Sequence, residues 1–190
     1  MVLDKQGRFP DLDKILKYTK SECTFLFSAT LSSEKLKKAF SMLRRKLDMK
    51  KPTQIHIEGK LDLIEQKAQT MDQNDKDKWI YMYLKENFSK KAIVFVNSIE
   101  AVRRLHLILK LFFENSGKHI SPLHAQMQQR QRLKYLDRFK QSTNGVLVCS
   151  DVAARGLDIP LVDLVIQAEA PKSLDIHKHR IGRTARAGAH

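Results

Sequence analysis

Cysteine is nearly absent from this chain, with two in 190 residues, Cys23 and Cys149. Both sit inside apolar runs, so they read as small packed hydrophobes in a reducing, intracellular compartment rather than as a disulfide framework. No Cys-x-x-Cys occurs, which argues against structural zinc. His177 and His179, spaced i, i+2, point apart on a helix and make a poor metal pair. Long apolar runs are missing as well: the longest fall far short of the ~18 residues a membrane span requires. No stretch reads as a signal peptide, no internal repeat recurs and no low-complexity tract appears. Acidic residues are scarce, with Asp+Glu 21 against Lys+Arg 35, a net charge of +14 and a pI near 9.8. That imbalance favours a polyanionic partner, nucleic acid ahead of an anionic membrane surface. The plainer alternative is a lysine-rich surface that only keeps the chain soluble.

What is present is ordinary globular material, 42% hydrophobic and 29% charged, which excludes wholesale disorder. The length suits one domain and part of another. Short, β-branched or aromatic runs recur at Thr24–Phe27, Ala92–Val96, Val146–Cys149 and Leu161–Ile166. Their continuous apolarity is that of parallel strands covered on both faces. Helical patterns lie between and around them, at Leu12–Lys20, Ser33–Lys46, Asp77–Phe88, Glu100–Glu114, Gln129–Lys140 and Ser173–Arg180. Alternation of strand and helix predicts an α/β fold with right-handed crossovers. The rhythm breaks at about residues 50–75, where further strands are expected at Gln54–Ile57 and Leu63–Met71. A border between a partial first unit and a fuller second one is expected at roughly Lys50–Lys60.

Small polar residues follow several expected strands directly: Ser28-Ala29-Thr30, Asn97-Ser98 and Ser150-Asp151. In open α/β sheets ligands bind beyond the carboxyl ends of the strands, so these residues share one rim. Helix capping by Ser33, Ser98 and Asp151 is the competing explanation. Ser150–Asp158 and, 21 residues later, His179–Arg186 add two carboxylates and four arginines (Arg155, Arg180, Arg183 and Arg186). Arginine forks at fixed spacing grip phosphate bidentately and neutralise charge during phosphoryl transfer. A solvated basic helix face is the bland alternative for the last three arginines, but it leaves the accompanying Arg155-Gly156-Leu157-Asp158 turn unexplained.

Taken in order, Ser28-Ala29-Thr30, Val94–Ser98, the Gln129–Arg132 pair, Ser150–Asp158 and His179–Arg186 resemble five successive motifs of the DEAD-box RNA helicases. The similarity covers essentially the whole chain. Leu123–Met127 and Arg183–Gly188 are most similar to a nucleolar ribosome-assembly subgroup. The resemblance implies a RecA-like parallel sheet flanked by helices, with a first RecA-like domain ending at residue 57, a linker over 58–62 and a second domain over 63–190. It implies that Ser28 and Thr30 link nucleotide state to RNA. Asp158, with Gly156, would bind the nucleotide, Asp158 through the ribose hydroxyls. Arg183 and Arg186 would reach the γ-phosphate as arginine fingers, with His179 at the contact between domains. Asn97, Gln129, Arg132, Ser150 and Arg155 would touch RNA, mostly along its sugar-phosphate backbone, which suits a sequence-independent remodelling enzyme. ATP and Mg2+ would be the cofactors, and RNA and pre-ribosomal particles the partners, for a monomer of the nucleus and nucleolus with no membrane association.

Two carry-overs have local competitors. Gln129 and Arg132 are one helical turn apart and would also suit plain surface neighbours, and Asp158 before Ile159-Pro160 would suit a turn. The departures are equally informative. No Gly-x-x-x-x-Gly-Lys-Ser/Thr exists, since Gly59-Lys60 precedes Leu61 and lacks the earlier glycine. The magnesium-holding Asp-Glu-Ala-Asp motif is absent, and His177 stands where the family often has tyrosine. The expectation is a fragment inactive on its own. The alternatives are a non-catalytic RNA-binding module, a DNA-directed relative in the same superfamily, or a flavodoxin-like small-molecule binder.

Overall fold

The computed structural model describes residues 64–151 and 158–184, with Tyr18 and Ser41 as isolated positions. The chain divides into two units, Met1–Ile57 and Glu58–His190, and the fold below is that of the second. The strands expected at Thr24–Phe27 and Gln54–Ile57, and the first two helices, lie outside the described residues.

Four parallel strands form the sheet: β1 (Ala92–Val96), β2 (Ile120–Leu123), β3 (Val146–Ser150) and β4 (Leu164–Gln167), in the order β2-β3-β1-β4. Central β1 and β3 are buried at every position, which is why they read as unbroken apolar runs with no polar alternation. Their register sets Val94 opposite Val148 on β3 and Ile166 on β4. Side chains alternate between the faces. Ala92, Val94, Val96, Val146, Val148 and Ile166 pack on one core, and Ile93, Phe95, Leu147, Cys149 and Leu123 on the other.

Helices α1 (Lys76–Glu86) and α2 (Ile99–Phe112) cover the first face, burying Ile80 and Leu84 from α1 and Val102, Leu105 and Leu109 from α2. Those spacings of three and four residues put each set on one side of its helix. Arg104 of α2 bridges to Asp77 of α1. Helix α3 (Gln129–Gln141) covers the second face with Leu136 and Phe139. Helix α4 (Leu174–Ile181) follows β4. Ser98 and Ser173 cap α2 and α4, their hydroxyls accepting from the Ala101 and Ile176 amides at 3.1 and 3.3 Å. Capping by Ser98 is therefore real, as one branch of the sequence reading held.

Two expectations change. Residues 64–71 of the strand expected at Leu63–Met71 form no strand and are largely exposed; only Ile64, Ala68 and Met71 among them are apolar, too few to bury a face that would hold an extended segment in a sheet. Conversely, β2 was not expected, because Ser121-Pro122 breaks its pattern. The Val146 amide donates to the His119 carbonyl, so alternate residues 119, 121 and 123 face β3. Pro122 therefore turns its missing N–H outward, the one orientation an edge strand tolerates. Gly117 precedes this strand with φ 75, a left-handed turn conformation that glycine adopts without strain.

Candidate functional site

The carboxyl ends of β1, β3 and β4 present Asn97, Ser150 with Asp151, and Glu169 at one rim, and a single side chain ties them together. Arg180, on the last turn of α4, is 1% exposed. Its Nε and Nη2 donate to the two Asp151 carboxylate oxygens at 2.7 and 2.8 Å, Nη1 to the Glu169 carbonyl at 2.7 Å, and Nη2 also to Asn97 Oδ1 at 2.7 Å. Its guanidinium lies 5.3 Å from the centre of the Phe95 ring. Four of its five N–H groups are thus used, which is how a buried cation escapes its desolvation cost. The sequence reading grouped Arg180 with the phosphate-gripping arginines. The structure corrects this: Arg180 is an internal strut.

Asn97 belongs to the same strut. Its Nδ2 donates to the Ala170 carbonyl at 2.9 Å, and its backbone N–H donates to Glu169 Oε2 at 2.6 Å. Both ends of the amide side chain are therefore committed inside the protein, which leaves a ligand at this rim only its second amide hydrogen. Glu169 also faces Lys76 at 3.9 Å. Ser150 ends β3, buried beside Asp151.

The strut fixes α4 and the turn after it, where Arg183 sits half-buried. Arg183 is pinned by its backbone: its carbonyl accepts from Val162 at 2.9 Å and its N–H donates to the Arg180 carbonyl at 3.1 Å. Asp158 has its carboxylate solvent-exposed and held by Lys140 Nζ at 2.9 Å. The Lys140 hydrogen bond and charge hold the Asp158 carboxyl below the usual range, and the Arg183 charge adds to the effect. Asp158 is thus an ionised, exposed carboxylate able to accept from hydroxyl groups. His179 is exposed on α4.

At the start of α3, Gln129 and Arg132 are brought together, Arg132 Nη1 donating to Gln129 Oε1 at 3.3 Å. Ser28, Thr30, Arg155, Gly156 and Arg186 lie outside the described residues. His177, off the family pattern, bridges two segments: Nε2 donates to Gln66 Oε1 at 3.1 Å while Nδ1 accepts from Gln167 Nε2 at 2.9 Å. Cys149 is fully buried and its thiol pushed far up by that burial, consistent with packing rather than reactivity. Among the described residues no group of three His, Cys, Asp or Glu is placed to hold a metal, and no helix is long and apolar enough to cross a membrane.

Sequence reasoning missed Asp151–Arg180 as a pair, and Lys140, Glu169 and Gln66 altogether. The only signal for the pair was a carboxylate directly after a strand and an arginine in a helix's last turn, 29 residues apart.

A family model described as the helicase conserved C-terminal domain matches residues 75–188. The ATP-dependent rRNA helicase RRP3 of Phaeosphaeria nodorum is 36% identical over 200 residues, covering 99% of this chain and 35% of that protein. Among solved structures, Mss116p DEAD-box helicase domain 2 bound to an RNA duplex has a TM-score of 0.53 at 38% identity, over 60% of this chain and 44% of the other. The E. coli DEAD-box protein SrmB bound to regulator of ribonuclease activity A has a TM-score of 0.54 at 37% identity, over 62% and 67%. The chain spans about a third of the length of the curated relative it matches.

Proposed function

Because the chain belongs to the DEAD-box RNA helicases through its helicase conserved C-terminal domain, we propose that it supplies the arginine-finger wall of the ATP site and half of the RNA track in an ATP-dependent RNA helicase. ATP with Mg2+ supplies the transferable phosphoryl group. Asp158 accepts from the ribose hydroxyls once Lys140 releases it, and Gly156 lets backbone approach the nucleotide. Arg183 and Arg186 stabilise the charge that spreads over the phosphoryl oxygens, with His179 at the seam and Ser28 and Thr30 relaying nucleotide state from the first unit. Gln129, Arg132, Ser150, Arg155 and Asn97 face the RNA.

The observation that carries the reading is the buried Arg180 strut, which ties α4 and the turn bearing Arg183 to the strand-end residues Asp151, Asn97 and Glu169. The division into residues 1–57, a linker over 58–62 and 63–190 follows the same reading. So do monomeric action on pre-ribosomal RNA, which the rRNA helicase name of the relative supports, and a nuclear, nucleolar location.

The assignment is tested by ATP hydrolysis. These 190 residues contain no P-loop, so the isolated chain is expected to hydrolyse no ATP, while its fusion behind a P-loop-bearing first domain is expected to show RNA-stimulated hydrolysis. Turnover by the isolated chain, or turnover in the fusion that ignores RNA, rejects the reading.

A further inference from the structure

Away from the rim, a groove of about 410 Å3 runs beside the edge strand β2, between α2 and α3. Arg103 and Leu107 of α2, Pro122, His124 and Met127 in and after β2, and Tyr135 of α3 line it. We propose that this groove docks an acidic, leucine-bearing helical segment of a protein partner. The inference goes beyond the helicase reading and does not depend on it.

Four observations carry it. First, the apolar lining continues onto open surface: Leu107 and Leu111, one turn apart on α2, are 57% and 70% exposed. Exposed leucines in helical register beside a groove are what an amphipathic helix packs against. Second, the surroundings are basic. Helix α2 carries three basic residues and α3 five, against one acidic residue on each. Arg103 Nη2 donates to Gln126 Oε1 at 3.0 Å, which holds its charge beside the groove, so an occupant with carboxylates around its leucines is complementary.

Third, the mode of docking is restricted. Residues 120 and 122 face outward from the sheet, and Pro122 has no N–H, so β2 makes a poor template for an added strand. The occupant must engage through side chains. Fourth, His124 is 7% exposed and its Nδ1 has no hydrogen-bond partner among the described residues. A buried polar atom in that state is costly, and a polar group of the occupant would satisfy it. Arg103 and Tyr135 would also suit RNA, but the exposed pair Leu107 and Leu111 offers a nucleotide neither charge nor a stacking surface and favours a leucine-bearing helix.

The test is a titration of the 15N-labelled chain with a synthetic peptide of about 14 residues carrying Leu at i, i+3, i+4 and i+7 and Glu between them. Controls are the same peptide with Lys for Glu, and an oligo(U) RNA. Saturable shifts centred on Leu107, Leu111 and Tyr135 are expected with the Glu peptide and not the Lys peptide. Arg103→Glu and Leu107→Ser, both at exposed positions and checked for unchanged melting, are each expected to weaken peptide binding at least about tenfold without weakening RNA binding. Three results each overturn the proposal. One is no saturable shift at these residues by about 1 mM peptide, and another is equal binding of the Lys peptide. The third is oligo(U) shifting this groove with Arg103→Glu weakening RNA binding, which would make it part of the RNA track.

Discussion

Arg180 and Arg183 are three residues apart and do opposite things. The first turns inward, where Asp151, Asn97 and the Glu169 carbonyl absorb its charge; the second sits in the turn beyond, half-buried. Removing one partner of a buried pair leaves the other charge uncompensated, so Arg180→Met is expected to lower unfolding free energy by about 3–5 kcal/mol in urea titrations. Arg180→Lys is expected to recover little of it, because an ammonium cannot reproduce the fork. Lys140 is the other residue to probe. Lys140→Ala is expected to raise the Asp158 pKa toward the ordinary carboxylate value, read by NMR titration of its side-chain carbon. An unchanged value would remove Lys140 as the cause. Little of this was readable beforehand. Spacing shows which arginines are neighbours on a helix, but whether one is buried depends on a carboxylate that arrives from a strand far away in sequence.

Among the elements, β1 and β3 could be read directly, because burial on both faces forces continuous β-branched sequence. The four described helices of the second unit announced themselves through apolar residues at three- and four-residue steps and through Ser98 and Ser173. Strand β2 did not, since its right to exist rests on pairing with β3 and on Pro122 facing outward. The expected strand at Leu63–Met71 erred the other way, since its mostly polar residues 64–71 stay exposed and join no ladder. Near β2, burial lowers the pKa of both His106 and His124 from 6.5. The unfolded chain therefore binds more protons than the folded one between the lowered values and 6.5, so this contribution makes stability fall as pH drops through that window. A lower melting temperature at pH 5.5 than at pH 7.5 is expected, with a shallower dependence in a variant carrying His106→Asn and His124→Asn. A dependence unaltered in that variant would assign it to other groups.

For the molecule as a whole, the +14 charge is the feature any account must use, and backbone-directed RNA contact uses it. RNA binding by the chain is expected to weaken steeply with salt and to vary little with RNA sequence, since phosphate contacts release counterions without reading bases. Salt-insensitive binding would assign the charge another purpose. The motif order identified the family from the sequence, whereas the groove beside β2 was visible only once α2, β2 and α3 were assembled.

The most direct measurement is the RNA-stimulated turnover of the fusion of this chain behind a P-loop-bearing first domain, with Arg183→Ala. The expected result is a kcat lowered by about 10³-fold or more, with RNA affinity and melting temperature unchanged and part of the rate restored by added guanidinium at non-denaturing concentration. A kcat at the unsubstituted level would contradict the assignment of Arg183 to the transferring phosphate.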